Sequence, residues 1–255
     1  MLAGAQQRQT IGVRAPLLSA DLPSGHRLQA IIPPAVPHDT ISLTFRRPSD
    51  YVAPVEQINA RYDTTRWNQW NRRKERRREA SDKLLSLFDA GDLQGFLPAL
   101  AGERRTPLVC GSTGVGKSSL LKSYLPLLPM NARVVVIEDA KEAVIPQPNH
   151  VRLLYSTGGL DGGATITELM TAAMRMRPTF IVLQEMRDPD AAWTFIMEVI
   201  SGHPGSPTTI HGGSAPEAAK RAVQSHQEQQ RGIGNQRRNA CQHAGCSYRR
   251  DCANR

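Results

Sequence analysis

The sequence predicts an α/β protein: a parallel sheet with helices on both faces, preceded by a smaller β-rich segment and a basic helical linker. Three observations predict it. From "TPLVCG" onward, short apolar strands alternate with helical patterns, the signature of βαβ units. "GSTGVGKS" stands between one such strand and one such helix, the context its spacing requires. Nearer the start, "HRLQAIIPP" and "TISLTFRRPS" read as two strands separated by the Pro-marked turn "PPAVPHD".

The elements follow in order. Residues 1–60 read as a partial, mostly β N-terminal domain. Residues 61–104 read as a basic linker running into helices, with Gly91 and Gly95 as breaks. Residues 105–224 hold the alternation proper: the strand "PLVCG", the helix "GKSSLLKSYL", and the β-branched strand "ARVVVIED". The strand "VRLLYS", the helix "TITELMTAAMRM", the strand "TFIVLQE", the helix "DAAWTFIMEVI" and the strand "PTTIH" complete the series. Residues 225–255 carry Ile233 as their single large aliphatic. Such a segment buries too little surface to offset its ordering entropy, and it reads as a disordered tail.

Composition narrows the function classes. No apolar run approaches the ~18 residues of a membrane-spanning helix, and "MLAGAQQRQT" lacks the layout of a signal peptide, so the expectation is a cytoplasmic protein. The net charge of +9 is local rather than spread over the fold. Residues 61–79 set eight basic side chains against Asp63, Glu75 and Glu79, and residues 229–255 set six arginines against Asp251. Trp67 and Trp70 among the first group suit single-stranded nucleic acid, since indole stacking and cations act together there. The competing reading, a solvated linker helix whose tryptophans pack on the main domain, is the one adopted. The four cysteines form no disulfide framework. Cys110 sits in an apolar strand, where a thiol is a small hydrophobe. Cys241, Cys246 and Cys252 are spaced more widely than the knuckles of zinc sites.

The chemistry centres on Gly111–Ser118, which matches G-x-x-x-x-G-K-[ST]. Glycines in such a loop let backbone N–H groups converge on phosphate oxygens, and the following helix adds its dipole. Gly111, Ser112, Thr113, Gly114, Val115, Gly116, Lys117, Ser118 and Ser119 are the nucleotide-binding set. Lys117 is expected to reach the β- and γ-phosphates of ATP, and Ser118 to ligate Mg²⁺. A phosphate loop needs a carboxylate on a neighbouring strand. Glu138-Asp139 and Glu185 both end apolar strands and are the candidates. "SGHPGSPTTIHGGS" supplies His203 and His211. His211 closes a strand and opens a Gly-Gly loop, where it either serves structure or senses a γ-phosphate.

Taken together, "LPSGHRLQAIIPPAVPHDTISLTFRRPS", "GSTGVGKSS", "VVVIEDAKEAVIP", "MRMRP", "IVLQEMRDPDA" and "SGHPGSPTTIHGGS" resemble the traffic ATPases of bacterial type IV secretion and conjugation (the VirB-eleven type). Those belong to the larger family of secretion and pilus-motor ATPases. The stretches run in family order from about residue 16 to 222. The resemblance implies a RecA-like motor domain, a homo-hexameric ring, and nucleotide between the two domains of a subunit. It also implies inner-membrane type IV secretion components as partners, and a place in the cytoplasm peripheral to that membrane. By motif, Glu138 and Asp139 fall in an acidic box whose carboxylate polarises the attacking water. Glu185 falls in the second magnesium motif and His211 in a histidine box; Ser118, Glu185 and Asp139 are the expected metal-binding residues. Arg46 ends the N-terminal domain's "SLTFRR" strand as a candidate phosphate contact. Arg175, Arg177 and Arg187 match family arginines that stabilise charge on the transferring phosphoryl group.

The departures from the family pattern are specific. Gln184 stands where the family has Gly, and it either crowds the γ-phosphate or hydrogen-bonds it. Thr179 and Phe180 replace an Asp-Arg pair. The resemblance begins midway through the family's N-terminal domain and fades beyond about residue 222, so the tail reads like a frameshifted or decayed end. Two alternatives to an ATP-hydrolysing export motor follow: a degenerate nucleotide binder without turnover, and a motor of type II secretion or of type IV pili.

Overall fold

The computed structural model describes residues 9–49, 51–57, 70–156, 163–187, 189–214, 217 and 220, with the backbone alone at 70–77, 189, 200 and 201. Two sheets organise them. The first is antiparallel, with strands β1 (Leu17–Asp21), β2 (Arg27–Ile31) and β3 (Ser42–Arg46) in the order β1-β2-β3. The two runs expected as strands are β2 and β3. The sequence reading missed β1, because "LLSAD" has only two aliphatics and no alternation to mark it. Pairing with β2, Leu17 opposite Ile31 and Asp21 opposite Arg27, is what extends it.

The second sheet has five strands, all parallel: β4 (Leu108–Gly111), β5 (Val134–Glu138), β6 (His150–Leu154), β7 (Phe180–Met186) and β8 (Thr208–His211). Their spatial order is β4-β8-β7-β5-β6. Every strand expected from "PLVCG" to "PTTIH" is present. β5 is buried along its whole length, as "VVVIE" in an interior strand of a sheet covered on both faces requires.

Among the described residues, the α-helices that accompany the sheets are α1 (Trp70–Asp89), α2 (Leu93–Gly102), α3 (Lys117–Tyr124), α4 (Ile166–Met174) and α5 (Pro189–Ser201). Side-chain alternation sends the two faces of the parallel sheet to different helices. Val134, Val136, Phe180 and Val182 pack with Leu121, Tyr124, Leu125 and Ala101 on the α2–α3 side. Val135, Ile137, Ile181 and Leu183 pack with α4 and α5, chiefly Leu169, Met170 and Phe195. The start of α4 is set by its own residues. Thr165 Oγ1 accepts the Glu168 N–H at 3.2 Å while the Glu168 carboxylate accepts the Thr165 N–H at 2.8 Å, a capping box.

The small sheet joins the large one directly. Ile31, Ala35 and Val36, at the end of β2 and in the turn after it, share the α4–α5 core. The Leu154 N–H donates to the Ala35 carbonyl at 2.8 Å. Two expectations fall outside the described residues: most of the basic segment 61–79, together with the side chains of 70–77, and the tail 225–255. Among the described residues no helix is long and apolar enough to cross a membrane.

Candidate nucleotide site

In a parallel sheet the carboxyl ends of all strands lie along one edge, and ligands collect in the crevice there. Here that edge gathers the ends of β4, β5, β7 and β8. β4 runs into the loop Ser112–Gly116 and then α3. Gly114 and Gly116 have φ of +82° and +92°, a conformation that residues with a Cβ rarely adopt. A Cβ on Gly111 would meet Val115 Cγ2 at 2.6 Å, so that position is closed by contact as well. Ser112, Thr113, Val115, Ser118 and Ser119 are exposed around the loop, and Lys117 is buried to 9% exposure.

Five side chains form a continuous relay across the strand ends. Lys117 Nζ donates to the carbonyls of Gly111 at 3.0 Å and Ser112 at 2.8 Å, and lies 3.3 Å from His211 Nδ1. On the other side of that ring, His211 Nε2 lies 2.5 Å from Glu185 Oε1. An ammonium facing Nδ1 makes that nitrogen the acceptor, while the Nε2 contact with Glu185 Oε1 is a close approach without hydrogen-bond geometry, and that oxygen has no hydrogen-bond donor among the described residues. Glu185 Oε2 accepts from Arg187 Nε at 2.9 Å, and Arg187 Nη2 reaches Asp139 Oδ2 at 2.8 Å. The hydrogen bond to Glu185, aided by both carboxylate charges, holds the Arg187 guanidinium even more firmly protonated than usual. Lys117, His211, Glu185, Arg187 and Asp139, read separately from the sequence, therefore meet at one place.

Glu138 does not join them. It is fully buried at the end of β5. Its Oε2 accepts the N–H groups of Glu142 at 3.1 Å and Ala143 at 3.0 Å, and its Oε1 pairs with Arg152 Nη1 at 2.6 Å. Arg152 Nη2 in turn holds the Ala143 carbonyl at 2.5 Å. A carboxylate held in this way clamps the loop 139–143. Arg152 was not anticipated, although a lone charge inside the apolar strand "VRLLYS" is a usable signal, since a buried cation needs a partner. Glu142 and Lys122 were also missed. They lie 3.7 Å apart, and Gln184 Nε2 donates to Glu142 Oε2 at 3.3 Å.

The remaining arginines stand elsewhere. Arg46, Arg175 and Arg177 line a cleft of about 400 Å³ between the small sheet and the end of α4, together with Arg27 and Gln29. Arg175 and Arg177 come just before β7 begins at Phe180, whereas Glu185 lies near its end. Seven residues of strand span ~20 Å, so this basic cleft and the phosphate loop occupy opposite edges of the same sheet. Arg177 has φ of +53°, a strained conformation for a side chain of this size.

Mg²⁺ favours oxygen ligands, and it commonly keeps several waters while sharing a few protein groups with substrate phosphates. The exposed Ser118 hydroxyl, with the carboxylates of Glu185 and Asp139 across the crevice, fits that donor set. The buried, unpartnered Gln184 Oε1 adds an oxygen that still needs a hydrogen-bond donor. Among the described residues there is no cluster of three or more His, Cys, Asp or Glu of the kind a protein-only metal site uses.

Residues 77–231 match the family model described as type II/IV secretion system protein. The chain is 48% identical over 222 residues to Protein VirB11 of Rhizobium radiobacter, covering 87% of this chain and 64% of that protein. It is 37% identical over 224 residues to the type IV secretion system protein VirB11 of Bartonella quintana, covering 84% and 62%. It also superposes on the crystal structure of the VirB11 ATPase from the Brucella suis type IV secretion system in complex with sulphate. That match has a TM-score of 0.75 and 33% identity, and covers 88% of this chain and 64% of that one. The chain thus spans slightly less than two thirds of the length of these relatives.

Proposed function

The chain belongs to the type II/IV secretion system protein family, and from that membership we propose that it is an ATP-hydrolysing motor of a type IV secretion system. The observation that carries the reading is the relay from Lys117 through His211 and Glu185 to Arg187 and Asp139, set at the mouth of a phosphate loop. Backbone N–H groups of residues 114–118 and the Lys117 ammonium bind the phosphates of ATP. Ser118, Glu185 and Asp139 hold Mg²⁺, which supplies neutralisation of phosphate charge. We assign the orienting of the attacking water to Glu185 because it stands at the phosphate loop beside His211, whereas Glu138 faces Arg152 and the loop 139–143. His211 links the two halves: when Lys117 turns from the loop carbonyls to a phosphate, the ring it faced is free to turn toward or away from Glu185 Oε1, which has no hydrogen-bond donor of its own among the described residues.

The separation of the two arginine sets supports a ring of copies. One chain cannot bring Arg46, Arg175 or Arg177 to its own phosphate loop, ~20 Å away across the sheet, but a neighbouring copy can. We therefore read the ring as a homo-hexamer in which the basic cleft of one subunit faces the nucleotide of the next. Its working place is the cytoplasmic side of the inner membrane, with the other secretion components as partners.

The test is Lys117→Ala. It removes charge-assisted bonds whose loss is expected to weaken ATP affinity at least about tenfold, with the melting temperature little changed. Glu185→Gln is expected to keep ATP bound and to abolish phosphate release. Equal ATP affinity for Lys117→Ala and the unsubstituted chain would defeat the reading. Tight binding without phosphate release by the unsubstituted chain would replace it with a nucleotide binder that does not turn over.

A further inference from the structure

Gln184 has a side chain whose bonding is half complete. Its Nε2 donates to Glu142 Oε2 at 3.3 Å, and its backbone carbonyl accepts from Thr209 Oγ1 at 2.7 Å. Its Oε1, by contrast, is sealed from solvent and has no partner among the described residues. A buried acceptor without a donor is costly, and native structures rarely keep one unless a ligand or an ordered water supplies the hydrogen.

The surroundings say which ligand. Glu142, the residue that fixes the Gln184 amide, also lies 3.7 Å from Lys122 Nζ. Lys122 follows Ser118 by four residues on α3, so the two share a helix face one turn apart. Gln184 is thereby linked through Glu142 to the second turn of α3, the helix whose first turn carries the hydroxyl assigned to Mg²⁺. Its chain neighbour Glu185 is the carboxylate of the relay. The register of β7 against β8 shifts between Leu183 and Met186. In a regular strand Gln184 and Glu185 would point to opposite faces; the irregularity falls on these two residues, and such irregularities re-aim side chains.

We propose that Gln184 is a positioning residue of the magnesium–nucleotide site, its Oε1 accepting a hydrogen from a water in the metal's hydration shell while Glu142 holds its amide in orientation. This rests on the nucleotide reading above. The competing use of the residue is as a strut between β7 and the loop 139–143. The two roles depend on opposite ends of the same amide: positioning needs the oxygen, and the strut needs the NH₂.

Two variants therefore separate them. Binding of a fluorescent ATP analogue is measured in EDTA and over a Mg²⁺ titration, with thermal melting alongside. Gln184→Met keeps the length and removes both polar ends. It is expected to leave affinity in EDTA unchanged and to raise the Mg²⁺ concentration for half-maximal effect about five- to tenfold, the worth of one good hydrogen bond. Gln184→Glu keeps acceptor oxygens and gives up the donor, setting a second carboxylate beside Glu142. It is expected to restore the Mg²⁺ response to within about twofold of the unsubstituted chain or better. A strut predicts the reverse order: both changes lose the NH₂, and Glu is the worse of the two because it sets a second carboxylate against Glu142; that order overturns the proposal. So does a Mg²⁺ response that is indifferent to both changes while analogue binding stays intact. Absence of analogue binding by the unsubstituted chain overturns the nucleotide reading itself, and this inference with it.

Discussion

Tyr124, the last residue of α3, illustrates what a single side chain contributes at the base of the site. It is 2% exposed and packed among Leu121, Leu125 and Val134, yet its hydroxyl has no partner among the described residues. Burial pushes the phenol up to about 12. The ring stabilises the α3 face of the sheet, while the unpaired hydroxyl opposes that burial. Tyr124→Phe is accordingly expected to leave unfolding free energy unchanged or to raise it by up to ~1 kcal/mol. Chemical denaturation checks this, and a loss greater than ~1 kcal/mol would mean that the hydroxyl has a partner after all. The residues of the relay were legible for different reasons. Lys117 came from the loop motif and Arg187 from the family resemblance, while Asp139, Glu185 and His211 are polar residues at strand ends, where a strand interior cannot explain them. Glu138 meets the same description, and only its contacts distinguish it from Asp139.

Between elements, the decisive feature is the clamp that Arg152 of β6 applies to β5 and the loop after it. Glu138 is fully buried and Arg152 nearly so, with 13% of its side chain exposed. Removing one partner of such a pair leaves a buried charge uncompensated. Arg152→Met is therefore expected to lower unfolding free energy by about 3 kcal/mol and to loosen the loop that carries Asp139 and Glu142. Adding Glu138→Gln to that variant should recover much of the loss, because the second change removes the orphaned charge. Thermal and denaturant unfolding of the two variants decide it. A single substitution costing under ~1 kcal/mol would show that the carboxylate is not locked. The sequence reading could place both strands but could not foresee the clamp. It depends on β6 lying beside β5, with Val136 opposite Arg152 and Glu138 opposite Leu154.

At the scale of the whole molecule, the parallel sheet divides the functional groups between its two edges. The phosphate loop and its relay take the carboxyl edge, and the cleft of Arg27, Arg46, Arg175 and Arg177 takes the other. If neighbouring copies complete each other, two inactive variants should rescue one another. Lys117→Ala destroys the loop and keeps the cleft; Arg175→Ala does the opposite. Mixed before assembly, they form some junctions where an intact loop meets an intact cleft. We expect phosphate release from the mixture at about a quarter of the unsubstituted rate, the statistical share when a junction draws its two halves independently from an equal mixture and activity counts intact junctions alone. A mixture no more active than its components would remove the case for completion between copies.

The sequence by itself determined the order of strands and helices in the main sheet, because apolar period and turn residues act locally along the chain. It also determined the phosphate loop, because backbone that must turn with positive φ around an anion demands glycine at set intervals. Tertiary structure decided which charges act together. β1 exists only through its pairing with β2. Glu138 and Asp139 are adjacent in the chain, yet one is spent on Arg152 and the other reaches Arg187. Arg46 and Arg175 are far apart in the chain and share a cleft, while Arg177 and Glu185 are eight residues apart and lie on opposite edges. Coulomb and hydrogen-bond energies fall off over a few ångströms, so the partners a charge finds depend on strand order and register, which no local pattern encodes.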